Sequence, residues 1–159
     1  MDIEKAIRKL NLSLPQPTQP GGNYSSVNIR GNVAFVAIQF PIRNGVYSHQ
    51  GKLGLDLTTD QGYEGMQLCA LNLLTQINKH LLWNQVEGIN HIEAYYQGVE
   101  GWDEAPLVVN GASDLLINVL GNKGEHSRSI VGVHTLPRGF SVGLTATLTI
   151  TRTNVWISS

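Results

Sequence analysis

Apolar residues follow two different periods along the chain. Between positions 63 and 81, Tyr63, Met66, Ala70, Leu73, Leu74, Ile77 and Leu81 recur at steps of three and four, which puts them on one stripe of a helix. Thr58 and Gln61 stand just before that stripe with the spacing of a capping box, so the helix starts there. From 140 to 150 the period is two. Phe140, Val142, Leu144, Ala146, Leu148 and Ile150 alternate with Ser141, Gly143, Thr145, Thr147 and Thr149, which predicts a strand with one core face.

The remaining segments fall around these two. Ile3, Ala6, Ile7 and Leu10 give a short amphipathic helix over 2–12, followed by a proline- and glycine-rich connector from 14 to 22 that cannot be helical. Segments 24–29 and 33–39 read as a hairpin about Arg30-Gly31-Asn32, stopped by Phe40-Pro41. A loop with Gly45, Gly51 and Gly54 runs to about Leu57. Residues 86–99 predict a third strand, and 107–120 a helix that begins near Ala105-Pro106 and ends at Gly121. Residues 128–136 predict a fourth strand. The order helix, β, β, helix, β, helix, β, β, with a long helix on one face of a mixed sheet, is an α+β arrangement. We expect one domain over 1–159: an N-terminal helix and connector at 1–22, a core at 23–152, and a short tail at 153–159.

Composition adds an expectation about assembly. Only 14% of residues are charged, against roughly 25% in typical globular chains. The back face of the 140–150 strand is Ser, Gly and Thr throughout. A surface short of charge and an uncharged sheet face both suit contact with a second subunit. The formal net charge is −1 and no Lys/Arg cluster occurs, so the footprint of a nucleic-acid binder is missing. Cys69, the single cysteine, sits between Leu68 and Ala70 on the long helix and reads as packing. No apolar run suggests a signal peptide or a membrane span, and a cytoplasmic location is expected.

The chemistry-bearing stretch is Val109-Asn110-Gly111-Ala112-Ser113-Asp114-Leu115-Leu116, then Gly124-Glu125-His126-Ser127-Arg128-Ser129-Ile130-Val131-Gly132-Val133 and Leu136-Pro137. A guanidinium at a strand start beside a glycine-bearing loop can present a planar fork to a carboxylate or phosphate. His126, two residues away, can share that pocket. This stretch resembles the RidA/YjgF superfamily of reactive intermediate deaminases, in the branch with an NGASDLL…HARSAVGV-like signature. Gly22-Asn23-Tyr24, Ala34 to Pro41 and Gly51-Lys52-Leu53-Gly54 are similar to the front of the same pattern, so the resemblance covers about residues 24–150.

The resemblance implies a chorismate-mutase-like α+β fold assembled as a homotrimer, with a central barrel and ligand clefts between subunits. It implies hydrolysis of small 2-imino or enamine acids to 2-keto acids and ammonia, with no metal or cofactor. It places the essential arginine on Arg128, which would clamp the substrate carboxylate. A ligand-flanking tyrosine falls on Tyr24 and a cleft asparagine near Asn110. The chain departs from the family pattern where a serine-glycine pair becomes Ala37-Ile38, and where a pair of last-strand glutamates, one of them water-positioning, becomes Gly143 and Thr145. A non-catalytic trimer that binds small carboxylate metabolites is therefore the alternative to a deaminase. The five histidines lack metal-ligand spacing. The acidic loop around Trp102 (Glu100, Asp103, Glu104) reads as solvated rather than as a carboxylate pair for glycoside chemistry.

Overall fold

The computed structural model describes residues 1–152; the tail expected at 153–159 lies outside the described residues. The elements run α1 (Ile3–Lys9), β1 (Val27–Arg30), β2 (Val33–Gln39), β3 (Ile42–Arg43), β4 (Val46–Tyr47), α2 (Thr59–His80), β5 (Val86–Tyr96), α3 (Ala105–Leu120), β6 (Ser127–Gly132) and β7 (Val142–Ile150). The main sheet has the order β1-β2-β7-β5-β6, and β3 and β4 form a separate small hairpin. Among the described strands of this sheet only β5 and β6 run parallel, joined through α3; the other neighbours are antiparallel. The expected mixed sheet with helices on one face is present.

The long helix begins where its cap predicts. Thr58 Oγ1 accepts from the Gln61 backbone N–H at 3.1 Å, and Gln61 Oε1 accepts from the Thr58 N–H at 2.9 Å. Asp60 in the first turn and Lys79 and His80 in the last complement the helix dipole. Leu71, Leu73, Leu74 and Ile77 are essentially buried, each contributing roughly 1.5–3 kcal/mol by burial. Between residues 65 and 77 the helix is buried almost all round, because the N-terminal connector covers its outer side. Thr75 Oγ1 donates to the Pro15 carbonyl and Gln76 Nε2 to the Thr18 carbonyl. Asn72 Nδ2 donates to the carbonyls of Phe40 and Ile42. The connector that follows the first helix thus supplies carbonyl acceptors for α2, from Pro15 and Thr18.

Several boundaries differ from the sequence expectation. The first strand starts at Val27 rather than at Tyr24, because the chain bends at Gly21-Gly22 and the Tyr24 hydroxyl turns back to accept the Gly21 N–H at 3.0 Å. The strand begun at Val86 stops at Tyr96, where Gln97 leaves the ladder to hold the loops with its side chain. β6 ends at Gly132 instead of continuing to Leu136. β7 starts at Val142, not Phe140, since Pro137–Gly139 form a 3-10 turn and the Ser141 N–H bonds the His49 carbonyl. The loop expected between 41 and 57 contains the β3–β4 hairpin.

α2 and α3 cover one face of the sheet. The opposite face carries the polar positions of β7 with Phe35, His91, Glu93, Ser127, Ser129 and Val131 from the flanking strands, by register and alternation. It is not free of charge: Glu93 stands opposite Thr145 and accepts the Tyr95 hydroxyl at 2.8 Å. Phe35 and Val131 on this face remain 46% and 40% exposed.

Candidate functional site

Arg128 lies on β6, in register with Ile92 of the parallel neighbour β5, so its side chain points to the helix side of the sheet. There it meets α3. Its Nη1 donates to Asn110 Oδ1 at 2.8 Å and to Ser113 Oγ at 3.1 Å, and its Nη2 donates to the Pro106 carbonyl at 3.4 Å. Asn110 and Ser113 are one helical turn apart, which places both on the face that looks at β6. His126 does not touch the guanidinium. Its Nδ1 lies 2.6 Å from the Gly124 carbonyl and its Nε2 lies 2.9 Å from Ser113 Oγ. A carbonyl only accepts, so Nδ1 carries the proton, and in the neutral ring Nε2 accepts from Ser113. The chain of bonds runs from Arg128 to Ser113 to His126 to the Gly124 carbonyl. It fixes the serine hydroxyl and, through it, the arginine.

Each position of the 110–116 stretch has a physical task. Gly111 sits where α3 meets α2 so closely that a Cβ would lie 2.2 Å from the Tyr63 carbonyl oxygen. Asp114 Oδ2 accepts the Tyr63 hydroxyl at 2.7 Å, and this bond pushes the Tyr63 phenol from 10.0 up to about 12. Ala112, Leu115 and Leu116 are core. α3 ends at Gly121, whose φ of 60° favours glycine, and Gly124 lies against the Leu116 carbonyl. The segment therefore returns to the sheet edge with Arg128 beside its own acceptors.

Arg128 has five N–H donors. Three go to neutral acceptors, leaving the Nε–H and one Nη2–H without a partner among the described residues. No carboxylate pairs with it there: the ion pairs are Arg8–Glu4 and His49–Glu64. Of the carboxylates near it in sequence, Asp114 is engaged by Tyr63 and Glu125 is solvent-exposed. The Nε–H and the remaining Nη2–H are the donors left for a carboxylate.

Tyr24 is not part of this cluster. It precedes β1, and β1 and β6 are the opposite edges of the five-stranded sheet. Four interstrand steps separate them, roughly 19 Å at about 4.8 Å each. Tyr24 instead borders a cavity of about 470 Å³ with Ile38, Phe40, Tyr47, Phe140 and Arg138. Gly143 lies beneath one wall of it. A Cβ there would meet Ile38 Cδ1 at 2.8 Å and Phe40 Cε1 at 3.0 Å, so isoleucine occupies the space a longer residue at 143 would need. Ser113 and Pro106 stand in the sequence pattern without a role as partners of Arg128, and the cavity's aromatic wall leaves no signal there. The three-residue spacing of Asn110 and Ser113 was the signal available for the serine. The loop of Glu100, Asp103 and Glu104 packs around Trp102, whose Nε1 donates to Thr59 Oγ1 at 3.2 Å, while Thr59 donates to Glu104.

The chain matches the model of the family described as "YjgF/chorismate_mutase-like, putative endoribonuclease" over residues 4–146. It is 31% identical over 142 residues to protein TCP17 of Trypanosoma cruzi, covering 88% of this chain and 89% of that protein. A crystal structure of a protein of unknown function from Agrobacterium tumefaciens superposes with a TM-score of 0.87 at 30% identity, covering 94% of this chain and 92% of that one. One described as a putative endoribonuclease from Shewanella oneidensis gives 0.89 at 28% identity, covering 92% and 98%. No helix among the described residues is long and apolar enough to cross a membrane. With the family match running from α1 into β7, the chain belongs to the YjgF/chorismate mutase-like family.

Proposed function

We propose that this protein binds a small 2-keto or 2-imino acid by its carboxylate on Arg128, in clefts between copies of a homotrimer. The observation that carries the reading is the half-buried guanidinium of Arg128. It is oriented by Asn110, Ser113 and the Pro106 carbonyl, pairs with no carboxylate among the described residues, and keeps two N–H groups unpartnered there. Neutral acceptors hold the cation in place without quenching its charge. Assembly is supported by the open sheet face and by the placing of Tyr24 and Arg128 at opposite edges. Two copies meeting edge to edge would bring one of each into a shared cleft, and three would close the sheets around a barrel. Binding at Arg128, with Asn110 beside it and His126 behind Ser113, needs no metal or cofactor.

Hydrolytic deamination is the second reading, favoured by membership of the family and by the same carboxylate grip. Water would add to the imine carbon, the nitrogen would take protons, and the C–N bond would break to leave a keto acid and ammonia. That step needs a placed water. The segment offers no carboxylate at 143 or 145 for it, and Ile38 fills the space above Gly143. Binding is therefore put first. The family description also mentions ribonuclease activity; a net charge of −1 and no basic stripe give no support for it.

A 2-keto acid at about 100 times its Kd should stabilise the wild type by about 2.7 kcal/mol, a rise of roughly 5–11 °C in melting temperature for a chain of this size. Arg128→Ala should lose the rise. A flat response of the wild type across a panel of small carboxylates would refute binding, and a monomer mass by light scattering would refute the shared cleft. Ammonia release from an imino acid generated by an amino-acid oxidase separates the two readings. Acceleration that depends on Arg128 makes the protein a deaminase; no acceleration leaves it a binder.

A further inference from the structure

The cavity beside Tyr24 carries information about which acid is bound. Its walls are mostly apolar, with Thr18 and Gln19 adding polar atoms beside the aromatic rings. Phe40 and Phe140 stack at 4.9 Å with an interplanar angle of 13°, and Tyr47 meets Phe140 edge-on at 5.2 Å. Ile38 closes the side over Gly143, and the close approach there excludes any side chain at position 143 that would turn this wall polar. Among the lining residues the single charged group is Arg138, a cation at the rim, with no acidic residue. Arg138 is held in the left-handed region at φ 58°. Its carbonyl accepts from Gln50 Nε2 at 2.7 Å, and the next carbonyl, of Gly139, accepts from the Gly51 N–H and Gln97 Nε2. These bonds fix the turn that presents Arg138.

A cavity of about 470 Å³ lies in the range that encloses ligands much larger than a three- or four-carbon acid. A pyruvate-sized molecule would leave most of these aromatic surfaces against water. An apolar body would cover them, and the positive rim suits its negative end. We infer that the acid taken by this protein carries an aromatic or long apolar side chain seated among Tyr24, Ile38, Phe40, Tyr47 and Phe140. This inference rests on the reading that Tyr24 and Arg128 border one cleft.

Titration calorimetry of the intact protein with pyruvate, 2-oxobutanoate and phenylpyruvate tests it. Phenylpyruvate should bind at least about tenfold tighter than pyruvate, since even one extra methylene in an apolar pocket is worth about that factor. Ile42→Trp, at a residue that also lines the cavity, narrows it and should erase the preference for phenylpyruvate. Pyruvate binding that needs Arg128, with phenylpyruvate equal or weaker, would overturn the inference while leaving the Arg128 site standing. Phenylpyruvate binding that survives Arg128→Ala and falls with Arg138→Ala would keep the cavity and overturn the shared cleft. Heat signals absent for all three acids would overturn both. The ligand series in the wild type decides the matter even if Ile42→Trp fails to fold.

Discussion

Gly111→Ala puts one methyl group into the closest part of the α2–α3 contact. The new Cβ would stand 2.2 Å from the Tyr63 carbonyl oxygen and 3.1 Å from the Gln67 nitrogen. Both are backbone atoms of α2, so no rotamer change relieves the clash. Restoring ordinary contact at about 3.5 Å requires the helices to part by roughly 1 Å. Overpacking of a tight core costs about 3 kcal/mol at the upper end of its usual range. Alanine returns about 1 kcal/mol through its better helix propensity. The net loss of about 2 kcal/mol lowers the melting temperature by roughly 4–8 °C in a chain of this length. Circular dichroism melts with a parallel urea titration measure it. Ile117→Ala, on the same helix but 45% exposed, is the control and should change stability by no more than about 0.5 kcal/mol. A melting temperature for Gly111→Ala equal to or above the wild type would refute the close-crossing argument. The perturbation also reaches the site. Gly111 lies between Asn110 and Ser113, so a displaced α3 moves both acceptors of Arg128. Carboxylate binding should weaken at temperatures where the variant is still folded.

Two further predictions concern pH. The Tyr63 phenol, raised to about 12 by its bond to Asp114, favours the protonated form in the folded state. Its contribution is complete below pH 10 and is lost as the pH climbs toward 12, so alkaline denaturation should be shallower in Tyr63→Phe. Tyrosinate absorbance should lose one late-titrating tyrosine in that variant, while Tyr95, raised by its bond to Glu93, still titrates late; a titration identical to the wild type would count against the bond. Burial lowers the pKa of His49 below its ordinary 6.5, and Glu64 at 3.9 Å only partly opposes this. The unfolded chain then binds the proton more readily, so His49 contributes stability above its unfolded pKa that is lost as the pH falls. His49→Asn, which tolerates the left-handed backbone there (φ 52°), should reduce the drop in melting temperature between pH 7 and 5. An unchanged drop would show that other groups dominate acid stability.

Much of the architecture was legible because local signals agreed with the fold. The three-four stripe from Tyr63 to Leu81 and the Thr58–Gln61 cap describe α2, and the alternation from Val142 to Ile150 describes the central strand. The errors fall where tertiary bonds end an element that propensity would extend. Gln97 is an ordinary strand residue by composition, yet its side-chain amide donates to the Gly51 and Gly139 carbonyls and its amide oxygen accepts the Leu136 N–H. No period in the sequence encodes that junction. Phe140 continues the alternation of β7 on paper but stacks on Phe40, because the Pro137–Gly139 turn rotates it out of the strand. The hairpin of β3 and β4 has two residues per strand, too few for any periodicity to register.

The candidate site shows a different limit. Arg128, Asn110 and His126 lie within nineteen positions of one another, and α3 followed by β6 brings them into one network by local connection alone. A sequence motif can carry a unit like that. Tyr24 belongs to the same set by resemblance, yet the sheet order sends it to the far edge. Twisting or sliding the strands cannot close that gap without breaking the β2–β7 and β7–β5 ladders. A cleft that uses both residues must therefore draw them from two copies, with an uncovered sheet face and few surface charges to let the copies approach. On the proposed reading, assembly is a condition for the site rather than an addition to it. Substitutions that keep Arg128 but weaken the contact between copies should abolish carboxylate binding as fully as removing the arginine.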